Sequence, residues 1–233
     1  MFPKLSAYGL MLGICLLGAA CGGTPTATPT VAPAVPTSAP QPLAEGARRF
    51  VVVPAESSAS YVVTEEFFAG ALAKYGIDAG FNEVTGSTQE IAGELQLKVD
   101  DPANALAYGE FTVNLPSLTT DQDQRDSWIR DNALESNRYP EARFVASSIQ
   151  NAPASYTDGS EVTFDLVGDL TVREVTLPVT FAVTATLTAD TITGVATAPL
   201  QLTDFGFEPP SFANTLTVDN DFLLRIELTA KEE

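Results

Sequence analysis

The sequence predicts an all-β fold, an antiparallel up-and-down barrel of about eight strands with one or two short helices. Three observations lead there. From residue 48 onward apolar and polar residues alternate with period two, at several places for ten residues or more. Turn-forming breaks separate the runs: Asp100-Asp101-Pro102, Asp158-Gly159, Ala189-Asp190 and Asp219-Asn220. Only two segments carry the helical period instead. Strands with one apolar and one polar face belong to antiparallel sheets, and many long ones in succession are best satisfied by closing the sheet on itself.

The chain begins with a different kind of sequence. Residues 1–4 supply a short positive start, and residues 5–20 are uncharged, largely apolar and end in small residues. That is the pattern of an export signal. As a helix, sixteen residues at ~1.5 Å each reach ~24 Å, short of the ~30 Å hydrocarbon core, which disfavours a membrane span. Leu17-Gly18-Ala19-Ala20-Cys21 resembles a bacterial lipobox, so residues 1–20 read as a lipoprotein signal peptide and Cys21 as the lipidated first residue of the mature chain. A plain cleaved signal is the alternative. Cys15, after the bulky Ile14, reads as part of the signal. Residues 21–46 then form a tether: prolines at 25, 29, 33, 36, 40 and 42 prevent helix and sheet, and Thr, Ala and Ser supply no core. Extended as polyproline II, about 25 such residues reach up to ~80 Å.

Residues 47–233 read as one barrel domain. Strands are expected around 50–53 and 58–65, then a short amphipathic helix over 65–75, where Phe68, Ala71, Leu72 and Tyr75 recur at helical spacing. Strands follow around 89–99 and 104–115. A second helix is expected over 120–134, with Thr120 as its cap and acids in its first turn. Strands then cover 142–150, 161–172, 176–189, 191–203 and 215–230.

Alternation assigns the faces. Phe164, Leu166 and Leu170 point one way in 161–172, Phe181 and Val183 in 176–189, Phe222 and Leu224 in 215–230, with Asp165, Thr180 and Asp221 on the other side. Together with Phe111, Phe144 and Trp128 these apolar residues are the candidates for a barrel interior that receives a ligand. Small residues (Gly93, Ala107, Gly109, Gly168, Ala196) lie among the large ones. Two readings stand: a cavity left open for an apolar guest, or small residues alternating with large ones merely to fill the taper of a packed barrel.

Composition narrows the chemistry. A formal charge of −18 argues against nucleic acid, which needs a basic footprint, and repels anionic membranes, so attachment requires an anchor. The chain contains no histidine, which removes the commonest general base and metal ligand. Its two cysteines both lie in the first 21 residues, so the barrel has no disulfide framework. Asp121, Asp123 and Asp126 fall short of a calcium loop, because Arg125 stands where a further oxygen donor is required. No catalytic constellation, nucleotide loop or cofactor motif is present. The expectation is a binding protein, with no catalytic residue, metal or cofactor.

At residues 115–144, LPSLTTDQDQRDSWIRDNALESNRYPEARF resembles the YceI-like family of lipocalin-like, polyisoprenoid-binding proteins. The resemblance is carried by Ser117, Leu118 and Thr120, by the pair Arg125-Asp126, and by Tyr139, Pro140 and Phe144. Further on it rests on Gly168, Leu170, Thr176 and Val179, then on Phe205 and Gly206, and it covers roughly residues 49–231. It implies a lipocalin-like barrel with an apolar tunnel for an isoprenoid or quinone-like lipid, and a place in the bacterial periplasm or cell envelope. Arg125 and Asp126 are then candidates for either a headgroup contact or a structural ion pair. One departure stands out. Many members carry histidines near the first strands, where this chain has Tyr61 and Glu65-Glu66, so headgroup recognition is expected to differ. The alternative function is a structural or interaction module with a filled barrel and a protein partner on its outer loops.

Overall fold

Alternating β-branched, aromatic and threonine residues give the wall of the molecule. In the computed structural model, which describes residues 41–68, 79–212 and 215–233, eleven strands lie among the described residues. They are β1 (Arg48–Val52), β2 (Ser58–Phe67), β3 (Gly80–Thr88), β4 (Ile91–Leu97), β5 (Leu106–Asn114), β6 (Glu141–Gln150), β7 (Glu161–Val172), β8 (Val175–Thr188), β9 (Thr191–Gln201), β10 (Ser211–Phe212) and β11 (Leu216–Glu232). The segment expected to be an export signal, Cys21 and the expected tether as far as residue 40 lie outside the described residues.

Eight strands close a ring in the order β1-β4-β5-β6-β7-β8-β9-β11 and back to β1, with every pairing antiparallel. The closure is local. β1 gives three residues to β11, Phe50 to Val52 against Glu232 to Ala230, and four to β4. Farther along the same edge β11 pairs with β2, which pairs with β3, so a hairpin continues the wall beyond the reach of β1. Ser87 of β3 then exchanges both backbone hydrogen bonds with Thr119, at 2.9 and 3.1 Å.

The two ends differ. At the end of β11 that carries Ala230, Phe50, Leu187, Ile192 and Ala230 are all buried and pack with Leu97, Val99 and Tyr156 into an apolar plug. At the other end stand helix α1 (Asp123–Trp128), a π turn over Ile129–Ala133, the 3-10 turn Leu202–Phe205 and β10. Along the wall between them Phe144, Leu170, Val179, Phe181, Ala198 and Phe205 form the largest buried cluster, with the Phe144 and Phe181 rings edge to face at 5.1 Å.

Three expectations need correction. The helix expected over 65–75 does not begin at Glu65, because residues 65–67 continue β2; residues 69–75 lie outside the described residues. A nine-pair ladder with β3 sets this segment, with Tyr61, Val63, Glu65 and Phe67 opposite Gly86, Val84, Asn82 and Gly80. β3 itself was not expected. Its sequence, GFNEVTGST, has almost no apolar alternation, and backbone pairing holds it. The helix expected over 120–134 is six residues long before its π turn, and Thr120 does not cap it: Gln122 holds that position without a side-chain bond. Asp126 reaches back instead, and its Oδ1 accepts the Thr120 backbone N–H at 2.9 Å and its hydroxyl at 2.7 Å. Asp219-Asn220 is likewise no strand-ending turn, because β11 runs through it with a register shift between Val218 and Phe222.

Candidate ligand-binding cavity

The inner face of the ring is not filled. Phe111, Phe164, Leu166, Val183, Phe222 and Leu224 project into the barrel yet are only half-buried. An inward side chain that keeps accessible surface faces empty space, since a packed interior leaves few voids larger than a water. The space is a continuous cavity of about 1420 Å³ that begins above the plug, beside Leu97, Ile192 and Leu228, and extends to α1 and the segment around Phe207. Apolar side chains dominate its wall. Both readings of the small residues apply, at different places. A Cβ on Gly168 would lie 2.3 Å from the Val145 carbonyl oxygen and 2.6 Å from Phe144 Cζ, so that position makes room for a ring. Gly194 and Ala196 line the hollow itself.

Each residue singled out in the sequence has a definite place. Phe111, Trp128, Phe144, Phe164, Leu166, Phe181, Val183, Phe222 and Leu224 all line the cavity; Phe144 and Phe181 do so from within the buried cluster. Trp128 stands at the helix end, with its ring edge to face with that of Phe212 on β10 at 5.7 Å. Asp165 and Asp221 face outward, where Asn151 donates to Asp165 at 2.6 Å and Gln201 to Asp221 at 2.9 Å.

Arg125 and Asp126 do not pair with one another. Asp126, 4 % exposed, fixes the turn before α1 and does not line the cavity. Arg125 lines it and turns to Glu65, with Nε 3.2 Å from Oε1 and Nη2 donating to Oε2 at 3.2 Å. Its Nη1 donates to Asp121 and, at 3.3 Å, to Thr120 Oγ1. Glu65 points inward because it shares the parity of Tyr61, Val63 and Phe67 on β2. The signal was legible: Ala59, Tyr61, Val63, Glu65 and Phe67 form one alternating set.

Tyr61, named above beside Glu65, and Arg173, which the sequence did not single out, also line the wall. Tyr61 lies over Gly86, where a Cβ would sit 2.3 Å from its ring. Burial pushes its hydroxyl up to about 12, with Asp126 and Glu65 adding to the rise and Arg125 opposing it. Arg173, at the tip of the β7–β8 hairpin with φ +56°, lines the cavity beside the π turn. Its Nη2 is 2.6 Å from Glu135 Oε1, Nη1 donates to the Ala133 carbonyl at 3.2 Å, and its guanidinium covers the Phe207 ring at 5.3 Å. A hairpin tip is readable from sequence, but its reach into the cavity is not.

The family model for the YceI-like domain matches residues 50–230, most of the chain and nearly all of the barrel. The chain belongs to the YceI-like domain family. Among relatives, it is 35 % identical over 112 residues to the UPF0312 protein PputGB1_5030 of Pseudomonas putida, covering 45 % of this chain and 54 % of that one. It is 30 % identical over 102 residues to Protein YceI of Shigella flexneri, covering 43 % and 48 %. The chain thus spans about half the length of these curated relatives. A solved structure described as a polyisoprenoid binding domain from Saccharophagus degradans, implicated in plant cell wall breakdown, shares the fold. It aligns with a TM-score of 0.55 at 13 % identity, over 80 % of this chain and 99 % of that one. The YceI-like barrel is therefore common to both, and here it encloses the hollow described above.

Proposed function

We propose that this protein is a membrane-tethered, extracytoplasmic binding protein that holds the apolar chain of an isoprenoid or quinone-like lipid inside its barrel. The observation that carries this reading is the hollow. Its volume of about 1420 Å³ exceeds the roughly 300–1,000 Å³ of sites for drug-sized ligands. Burial of such a chain is favourable by ~25 cal/mol per Å² of apolar surface, less the cost of ordering it. The ligand class is supported by family membership and by the shared fold of the Saccharophagus polyisoprenoid binding domain. Holding rather than turnover is the role, because the wall presents a greasy surface with few ionisable groups. The tether reading rests on Leu17–Cys21 and the proline-rich spacer, which would carry the barrel at an envelope membrane through a lipid on Cys21.

The experiment is mass spectrometry of an organic extract of the purified protein, followed by titration with isoprenoids of increasing length at low and high salt. A co-purifying lipid, and saturable affinity that rises with chain length and ignores salt, are the expected results. If well-folded protein takes up no apolar chain, the lipid reading fails and a protein partner on the outer loops replaces it.

A further inference from the structure

The cations of the cavity wall are already spoken for. Among the described residues that line it, the basic side chains are Arg125 and Arg173, and each is held by a carboxylate of the same wall. Arg125 is the deeper case. Its side chain is 15 % exposed and that of Glu65 is 7 % exposed, so little water screens their contact. Glu65 presents both carboxylate oxygens to the Nε and Nη2 side of the guanidinium, the fork that a phosphate would need. Asp121 and Thr120 take Nη1. Two carboxylates thus hold one guanidinium, and a third, Asp126, accepts from the same Thr120, in a chain of formal charge −18.

Resting on the lipid-holding reading above, we propose that Glu65 selects the headgroup: by occupying Arg125 it makes the α1 end of the cavity accept an uncharged, oxygen-bearing head and refuse a phosphorylated one. A hydroxyl or carbonyl oxygen needs one donor and brings no charge, so it can share this end of the cavity with the intact ion pair. A phosphate brings further negative charge beside a desolvated carboxylate. It must either displace Glu65, leaving that carboxylate buried without its partner, or bind as an additional anion against an unscreened repulsion. Removing only the charge of Glu65 frees the guanidinium fork while keeping the side-chain shape.

The chain's single tryptophan, Trp128, lines the cavity and reports binding by its fluorescence. The full-length protein is titrated with geranylgeraniol and with geranylgeranyl diphosphate, two ligands with one chain and different heads, at fixed ionic strength near 0.15 M, where long-range surface charge is largely screened. The wild type is expected to bind the alcohol at least about tenfold more tightly than the diphosphate. Glu65→Gln closes that gap by gaining affinity for the diphosphate, with affinity for the alcohol changed by less than about twofold. Glu65→Gln combined with Arg125→Gln loses the gain. Circular dichroism checks the fold of both variants, and the wild-type ratio needs no variant at all. Equal binding of the two ligands by the wild type, or a Glu65→Gln ratio unchanged from it, overturns the inference and leaves the lipid-holding reading standing. Binding of neither ligand by folded wild type overturns that reading, and this inference with it.

Discussion

Phe164 and Phe181 face the same interior from neighbouring strands, yet they make different contacts. Phe181 is 5 % exposed and packs edge to face with Phe144, whereas Phe164 is half-buried against the hollow. Phe181→Ala should therefore cost ~3–5 kcal/mol, the range for a packed ring, and Phe164→Ala clearly less. Urea denaturation of both variants measures the difference; equal losses would mean that the cavity is closed around Phe164. Tyr61 gives a second test. Its hydroxyl ionises at about 12 in the folded protein against 10.0 for an unperturbed tyrosine. Between those values the unfolded chain has lost the proton that the folded chain retains. The contribution of Tyr61 to stability is therefore full below about pH 10 and is lost as pH rises toward about 12. Tyr108, raised to about 12 chiefly by burial and by its bond to Glu110, acts in the same direction. Stability measured from pH 9 to pH 12 should fall, and Tyr61→Phe should flatten part of that fall.

The strands themselves explain which parts of the fold were readable. β7, β8 and β11 show in the sequence because one face meets an apolar interior and the other meets water. The alternation of Phe164, Leu166 and Leu170 against Asp165 and Asp169 records that directly. β3 lacks the signal: Phe81 is 74 % exposed, and Val84 and Thr88 are among its few buried side chains. Its place follows from hydrogen bonding to β2, a property of partner and register rather than of its own residues. The start of the expected helix at 65–67 failed for the same reason, since ladder pairing outweighs a local i, i+3, i+4 pattern. Ring closure is the other feature set by pairing. β1 is five residues long and contributes Phe50, fully buried in the end plug. Phe50→Ala should cost ~3–5 kcal/mol and should loosen the closure between β4 and β11. Hydrogen exchange should then show faster opening of Val51 and Val52 than of the middle of β8. Unchanged exchange in β1 would mean that the closure does not depend on the plug.

For the molecule as a whole, the wall of the hollow and the tether carry separate tests. Leu166→Asp or Val183→Asp puts a charge on an apolar inner wall and should abolish uptake of an isoprenoid, with circular dichroism reporting whether the barrel still folds. Asp165→Asn, on the outer face, should leave uptake unchanged. Cys21→Ser should release the protein from the membrane fraction or leave its signal uncleaved. A variant that remains mature and membrane-bound would refute the lipid anchor.

Solvent partition determines period-two patterning, so the sequence alone carried the all-β class, most strand positions and the apolar inner face. The same physics made eight cavity-lining strand residues legible, because a residue that faces a hollow and one that faces a core obey the same alternation. For that reason the pattern could not tell an open barrel from a filled one. The choice depends on whether rings such as Phe144 and Phe181 meet across a gap or leave one, a matter of distance between strands far apart in sequence. The Arg125–Glu65 partnership was equally hidden. Arg125 stands next to Asp126 in the chain, but strand parity turns Glu65 inward and the helix carries Arg125 to it across sixty residues. Coulomb attraction in a poorly hydrated setting then favours the distant carboxylate, while the backbone N–H and hydroxyl of Thr120 claim the near one.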